Sequence, residues 1–171
     1  MKKSTQKAGA KAPARKAKTA LTAQQVYLLA GNLLGERELA HANELVEKHG
    51  YAGMRWIIIP HPPTIVGLNS GRNLMWARRN WWNAIEYATM AAIYRRKEQN
   101  HAISTEPPSE YHVIWCYNRG VAPDDDNVWG RLKHVRDTMA KHWGIDDREM
   151  HTGRCRGEKD KALQGYCIIA F

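Results

Sequence analysis

The clearest pattern of hydrophobic and polar positions lies between Asp124 and Gly144. Apolar residues recur there at steps of four, three, four and four, at Val128, Leu132, Val135, Met139 and Trp143. This spacing places them on one side of a helix that faces a core. A second face carries Asp126, Gly130, Lys133 and Asp137. The segment is therefore predicted to be a helix with one packing side and one side suited to a bound cation and a phosphate.

Two helices are predicted ahead of the first strand. Thr22 and Gln25 form the T-x-x-Q pattern of a capping box, and apolar residues then recur at helical spacing, at Val26, Leu29 and Leu33. A second helix is predicted over 36–48, with Gly50 as its stop. Its glutamates would repel a phosphate backbone, which argues against a helix-turn-helix DNA reader. Packing against the main domain is the favoured role for this pair.

The remaining elements alternate between strand and helix. An apolar, β-branched run at 54–60 and an alternating run at 111–117 predict two strands. A long helix is predicted between them, from about Asn73 to Gln99, and its core residues are Trp81, Ile85, Ala88 and Ala92. After the acidic helix we predict a strand at 148–153, a charged hairpin tip at 154–161 and a last strand at 162–171. This order predicts an α+β fold, with a small mixed β-sheet and packed helices.

Composition divides the chain into a tail and a body. Of the 171 residues, 43% are hydrophobic, which is enough for one modest core. Seven of the nine excess positive charges lie in residues 1–20, which contain no acidic residue, so the rest of the chain carries only +2. We predict a disordered basic tail at 1–20, a helical extension at 21–50 and a main domain at 53–171. The tail either binds the DNA backbone through charge or serves only as a solubilising segment.

Other features bear on compartment. The three cysteines form no C-x-x-C pair and suit a reducing cytosol, where we expect them to fill packing positions. His151 and Cys155 lack a second ligand pair, which disfavours a zinc site. No segment reaches membrane-spanning length, and the N-terminus lacks the apolar core of a signal peptide. The sequence therefore predicts a cytoplasmic protein with no membrane partner.

The acidic residues around the predicted helix admit two interpretations. Carboxylates at 124 and 126, with more at 146 and 147, are the ligands that Mg²⁺ takes together with water and substrate phosphate. Lys133, about two turns from Asp126, could neutralise the charge that develops during phosphodiester cleavage. A structural interpretation stands beside this one, because Asp is a favoured N-cap and Asp146-Asp147 suits a polar turn after Gly144. Residue chemistry alone leaves both open.

The same residues resemble a known signature. The run Asp124-x-Asp126-Asn127, followed by Lys133, Asp137 and Gly144-Ile145-Asp146-Asp147, is similar to the signature of the RusA family of small, magnesium-dependent endonucleases. The upstream IIIPHPPTIVGLNSGRNLMWARR resembles the strand, Pro-Pro turn and basic helix start of that family. The resemblance spans roughly residues 55–171. It implies resolution of Holliday junctions, which are four-way DNA junctions, during recombination and repair in a bacterial or phage-infected cell. Symmetric cutting further implies a homodimer.

The resemblance also implies roles for individual residues. Asp124, Asp126 and Asp147 match metal-binding and catalytic acidic residues for Mg²⁺, with Mn²⁺ as an alternative ion, and Lys133 matches the catalytic lysine. The candidate DNA contacts are Asn69, Arg72, Arg78, Arg79, Arg119 and Asn127. Two alternatives to a metal-dependent endodeoxyribonuclease stay open. One is a junction- or DNA-binding phage accessory protein that does not cleave, and the other is a structural phage protein whose tail condenses DNA.

Overall fold

The computed structural model describes residues 21–67, 75–98 and 106–171. In these ranges the helices are α1 (Ala23–Asn32), α2 (Glu36–Lys48), α3 (Met75–Glu98) and α4 (Asp125–Trp143). The strands are β1 (Trp56–Pro60), β2 (Glu110–Tyr117), β3 (His151–Lys159) and β4 (Tyr166–Ala170). The predicted α+β class is confirmed. The predicted basic tail at 1–20, and the candidates Asn69 and Arg72, lie outside the described residues. None of the described helices combines the length and apolar character that crossing a bilayer requires.

The four strands form one mixed sheet in the order β1-β4-β2-β3. β4 runs antiparallel to both of its neighbours, with Trp56 opposite Ala170 on one side and Val113 opposite Ile169 on the other. β3 runs parallel to β2 at the edge of the sheet. β1 is buried along its whole length, which explains why its sequence is continuously apolar rather than alternating.

Helices cover both faces of the sheet. On one face, α1, α3 and α4 enclose a core that includes Ile57 and Ile169. On the other face, α2 packs over Ile58 and Ile168. The predicted core sides of α3 and α4 both lie in the first core, where Trp81 and Trp143 are partly buried. The two N-terminal helices thus pack against the main domain, as predicted, and they do so on opposite faces of the sheet.

Local sequence explains where the helices begin and end. Thr22 Oγ1 accepts a hydrogen bond from the Gln25 N–H at 3.2 Å, and Gln25 Oε1 accepts one from the Thr22 N–H at 2.8 Å, which confirms the capping box. Gly144 ends α4 with a φ of 69°, a conformation that favours glycine. The bounds of α2 are those predicted. In α1, however, the apolar stripe is largely exposed, and Tyr27 is the buried residue.

The C-terminal region differs from the prediction. The hairpin tip predicted at 154–161 lies mostly in β3, so this prediction was wrong. The strand predicted from 148 begins at His151 instead, because Asp146 caps a short 3₁₀ helix at Asp147–Glu149. Residues 162–165 form bends and a turn, so the last strand is shorter than predicted. β3 contains two glycines and four charged residues, and it is the pairing with β2 that makes it a strand.

Candidate functional site

A cleft of about 560 Å³ lies beside α4. Its lining comes from α4 and from the neighbouring strands β2 and β3, and consists of Tyr111, Asp124, Asp126, Asn127, Trp129, Gly130, Lys133, Arg136 and Thr152. The buried stripe of α4, which includes Leu132 and Met139, holds the helix against the sheet. Residues on the other side of the helix face the cleft, as the sequence predicted for Asp126, Gly130 and Lys133, whereas Asp137, predicted on the same face, does not line it.

Two aspartates stand where α4 begins. Asp124 is the N-cap, and its Oδ1 accepts a hydrogen bond from the Asn127 N–H at 3.0 Å. The structural interpretation of Asp124 is therefore confirmed, but this cap occupies only one carboxylate oxygen. Asp126, in the first turn, is exposed and lines the cleft. Both carboxylates lie at the helix end where unpaired backbone N–H groups favour negative charge.

Lys133 places an amine in the same cleft. Its Nζ donates to both oxygens of Asp137, at 2.8 and 3.1 Å, across one turn of α4. The Lys133 side chain is 50% exposed. Exposed ion pairs at this spacing contribute only a few tenths of a kcal/mol to stability, about 0.2–0.5. The amine can therefore leave Asp137 for a stronger anion at little cost.

Asp147 is paired with an arginine of the cleft. Its Oδ2 accepts a hydrogen bond from Nη2 of Arg136 at 2.6 Å, a short charge-assisted contact. Desolvation raises the pKa of Asp147, but Arg136, Asp146 and Lys133 together outweigh it, and the pKa is lower than that of an ordinary aspartate. Arg136 also lies beside Tyr111, whose pKa is raised to about 12, chiefly by burial. Asp147 therefore stays ionised and holds Arg136 in place.

The acidic side chains of the cleft suit a cation that is bound by two carboxylates. Within the described ranges, no three His, Cys, Asp or Glu side chains are grouped so that they could hold a metal ion. Asp124 and Asp126 line one cleft, whereas Asp147 is bound to Arg136. Mg²⁺ needs only one or two protein carboxylates when water and phosphate complete its shell, so the first two aspartates fit it. The role of Asp147 as a metal ligand stays a prediction.

The predicted DNA contacts are dispersed over the molecule. Of those in the described ranges, Asn127 alone lines the cleft. Arg119 is exposed in the loop between β2 and α4, and Arg79 is exposed on α3. Arg78 donates from Nε to the Ile65 carbonyl at 3.2 Å, so it contributes to holding the loop after β1.

Four lining residues were missed by sequence reasoning. They are Tyr111, Trp129, Arg136 and Thr152. Arg136 lies three residues after Lys133, and Trp129 lies seven before Arg136, so helical spacing could have placed both on this side of α4. Tyr111 and Thr152 are opposite each other on β2 and β3, and their residue types carry no signal for a site.

Comparison of the chain with protein-family models, with curated proteins and with solved structures finds no match in any of the three. The likeness to the RusA family therefore depends on the motif residues themselves. Of these, Asp124, Asp126, Asn127 and Lys133 lie together in the cleft.

Proposed function

We propose that the protein is a magnesium-dependent endonuclease that cuts branched DNA, with four-way junctions as its substrate. The observation that carries this proposal is that one cleft brings together two carboxylates, an asparagine, a lysine and an arginine, namely Asp124, Asp126, Asn127, Lys133 and Arg136. Carboxylates at the start of α4 suit a hard cation, and basic side chains further along the helix suit phosphate. A DNA strand would therefore bind along α4.

Each residue has a distinct task in this mechanism. Asp124 and Asp126 would hold the cation, which when bound activates the attacking water and neutralises charge on the scissile phosphate. Lys133 exchanges Asp137 for that phosphate and stabilises the charge that develops in the transition state. Trp129 packs edge-on against Tyr111, with ring centroids 5.4 Å apart, and forms an apolar wall that limits the access of bulk water.

The substrate determines the assembly. A four-way junction has two equivalent strands to cut, so symmetric resolution requires two such clefts related by a twofold axis. The proposal therefore includes a homodimer. Its setting would be recombination and repair in the cytoplasm of a bacterium or a phage-infected cell.

The test is cleavage of a labelled synthetic four-way junction with Mg²⁺, using wild type, Asp126→Asn and Asp125→Asn. Asp125 is a matched control, because it neighbours Asp126 in the first turn of α4 and is likewise exposed but does not line the cleft. We expect paired symmetric nicks from wild type and Asp125→Asn, and none in EDTA. Asp126→Asn should cut slower by about 100-fold or more, the size of effect seen when one charge-stabilising group is removed from an active site.

Other outcomes would support the alternatives. Junction binding without cutting by all three proteins would favour a binder that does not cleave. Salt-sensitive binding with no preference for junction over duplex would favour a structural, DNA-condensing protein. Undiminished cutting by Asp126→Asn would contradict the role given to that residue.

A further inference from the structure

Arg136 is held in the cleft in a way that fold stability does not explain. Its Nη2 is bound to Asp147, yet 26% of its side chain is exposed and it lines the cleft. Its Nε is buried and has no hydrogen-bond partner in the described part of the chain. Leaving a buried donor unpaired is destabilising, so such groups are rare in folded proteins. Arg136 nevertheless lines the cleft, so guanidinium donors that are not bound to Asp147 can meet a ligand there.

We propose that Arg136 forms a phosphate-binding subsite in the cleft, with Asp147 as its positioning residue. A guanidinium carries five N–H donors in a planar fork that matches the oxygens of a phosphate, and the contact to Asp147 leaves other donors for a ligand. Because the fork is already fixed, little side-chain freedom is lost when it binds. The inference rests on the proposed function for its ligand, which is a backbone phosphate of DNA.

The position of Arg136 along α4 indicates which phosphate it binds. Ten residues separate it from Asp126, which corresponds to about 15 Å along the helix axis. Long helical side chains point back toward the N-terminus, which narrows this gap, but one phosphate group does not span the remainder. Arg136 therefore contacts a phosphate that flanks the one held at the aspartates. It contributes to binding, and Asp147 acts through Arg136 rather than through the cation.

The test is equilibrium binding of a labelled four-way junction in EDTA, where cutting is prevented, over a series of salt concentrations. The variants are Arg136→Gln, Arg136→Lys and, as a matched loss of charge on the same helix, Lys141→Gln. Lys141 is exposed and bound to Glu86 outside the cleft. For Arg136→Gln, the slope of log K against log salt should be shallower than that of wild type by about 0.9, the value for one phosphate contact. Lys141→Gln should keep the wild-type slope.

Arg136→Lys retains the charge but not the fork. We expect it to keep the slope and to bind about threefold or more weakly, because it loses paired hydrogen bonds to the phosphate. With Mg²⁺, Arg136→Gln should raise KM and leave kcat within about twofold, since the flanking contact is the same before and during the reaction.

The outcomes separate this inference from the proposed function. An unchanged slope in an Arg136→Gln protein that circular dichroism shows to be folded would overturn the subsite. If that variant does not fold, wild-type affinity in Arg136→Lys would overturn it instead. A reduced slope together with a wild type that never cuts would contradict the nuclease and leave the subsite standing. No DNA binding by wild type would overturn both.

Discussion

Two clusters of charged side chains, one beside α2 and one along α4, differ in how fully their groups are paired. The α2 cluster consists of His41, Lys48, His49, Glu158 and Asp160. Lys48 and His49 each donate to a different oxygen of Glu158, at 2.7 and 2.9 Å. Asp160 is bound to His41 at 2.6 Å and accepts from the Leu163 N–H at 2.8 Å. The carboxylates of Glu158 and Asp160 are therefore paired with groups of the protein itself.

The cleft cluster consists of Asp124, Asp126, Lys133, Arg136, Asp137 and Asp147. It contains two ion pairs of its own, yet Asp126 is exposed and Nε of Arg136 has no hydrogen-bond partner among the residues that the structure describes. Charged groups that satisfy one another fix two elements together, whereas groups left with spare donors and acceptors can bind something else. The comparison indicates that the first cluster anchors α2 to the sheet, whereas the second has groups available for the proposed ligand.

The largest expected difference concerns the two lysines. Lys133→Gln should slow junction cleavage by about 100-fold, because it removes charge stabilisation from the transition state. Lys48→Gln makes the same change in the α2 cluster and should leave the rate as it is. Single-turnover cleavage of the labelled junction measures both. Equal slowing by the two variants would remove the distinction between anchor and site.

For stability, the α2 cluster should matter more than the cleft cluster. Glu158 is only 15% exposed and accepts two charge-assisted hydrogen bonds, so Glu158→Gln should lower the free energy of unfolding by about 1–3 kcal/mol. The salt dependence of DNA binding should not change. Asp126→Asn should lower the unfolding free energy by less than about 0.5 kcal/mol, as an exposed substitution does. Urea denaturation measures both, and a larger loss from Asp126→Asn would make that residue a structural one.

A smaller effect is expected from pH. Hydrogen bonding to Asp160 raises the pKa of His41 in the folded protein. Desolvation raises the pKa of Asp160, but its hydrogen bonds to Leu163 and His41 outweigh this and lower it. The contribution of His41 to the free energy of unfolding is therefore complete below its unfolded pKa of about 6.5. It is lost as pH rises through the higher pKa of the folded protein. The contribution of Asp160 to the free energy of unfolding is present above its unfolded pKa of about 3.9. It is lost as pH falls through the lower pKa of the folded protein.

The substitution His41→Gln isolates the pH dependence of stability that comes from His41, because wild type and the variant share all the other histidines. Wild type should exceed the variant in unfolding free energy by a few tenths to about 1 kcal/mol at pH 5.5, as partly exposed pairs do, and by less at pH 8. Urea unfolding at the two pH values gives the comparison. A difference that is the same at both would show that His41 contributes by packing and not by its charge.

The smallest effect is expected at Asp137. Asp137→Asn breaks an exposed pair one turn apart on α4 and should lower the unfolding free energy by only about 0.2–0.5 kcal/mol, with the difference shrinking at high salt. Thermal unfolding at low and high salt is the measurement. A loss above 1 kcal/mol would show that the Lys133–Asp137 pair stabilises the fold, as the α2 cluster does.

The sequence predicted those features that near neighbours decide. The bounds of α2, the cap at Thr22 and the end of α4 at Gly144 all depend on residues within about one helical turn. β3 could not be recognised in this way, because Gly153, Gly157 and the charged residues between them have low strand propensity. Its strand conformation depends on β2, about 40 residues earlier in the chain, as the paired residues Tyr111 and Thr152 illustrate.

The same limit applies to the site. Asp126 and Lys133 could be assigned to one face because both belong to α4, where spacing determines direction. Asp147 follows the turn at Gly144, and no periodicity relates it to Arg136. The resemblance grouped Asp147 with the other aspartates, whereas its carboxylate pairs with Arg136. The sequence pattern could therefore predict which residues share a face of α4. It could not predict contacts between different elements.

The place of β4 in the sheet has a consequence for biosynthesis. β4 lies between β1 and β2, although it is the last of the four strands to be translated. A nascent chain on the ribosome therefore exposes β1 and β2 with no strand to join them, even after α4 and its acidic residues have emerged. The sheet that supports the cleft closes only once synthesis has passed Ala170. A translation product that stopped before Tyr166 would consequently lose the whole fold rather than one strand of it.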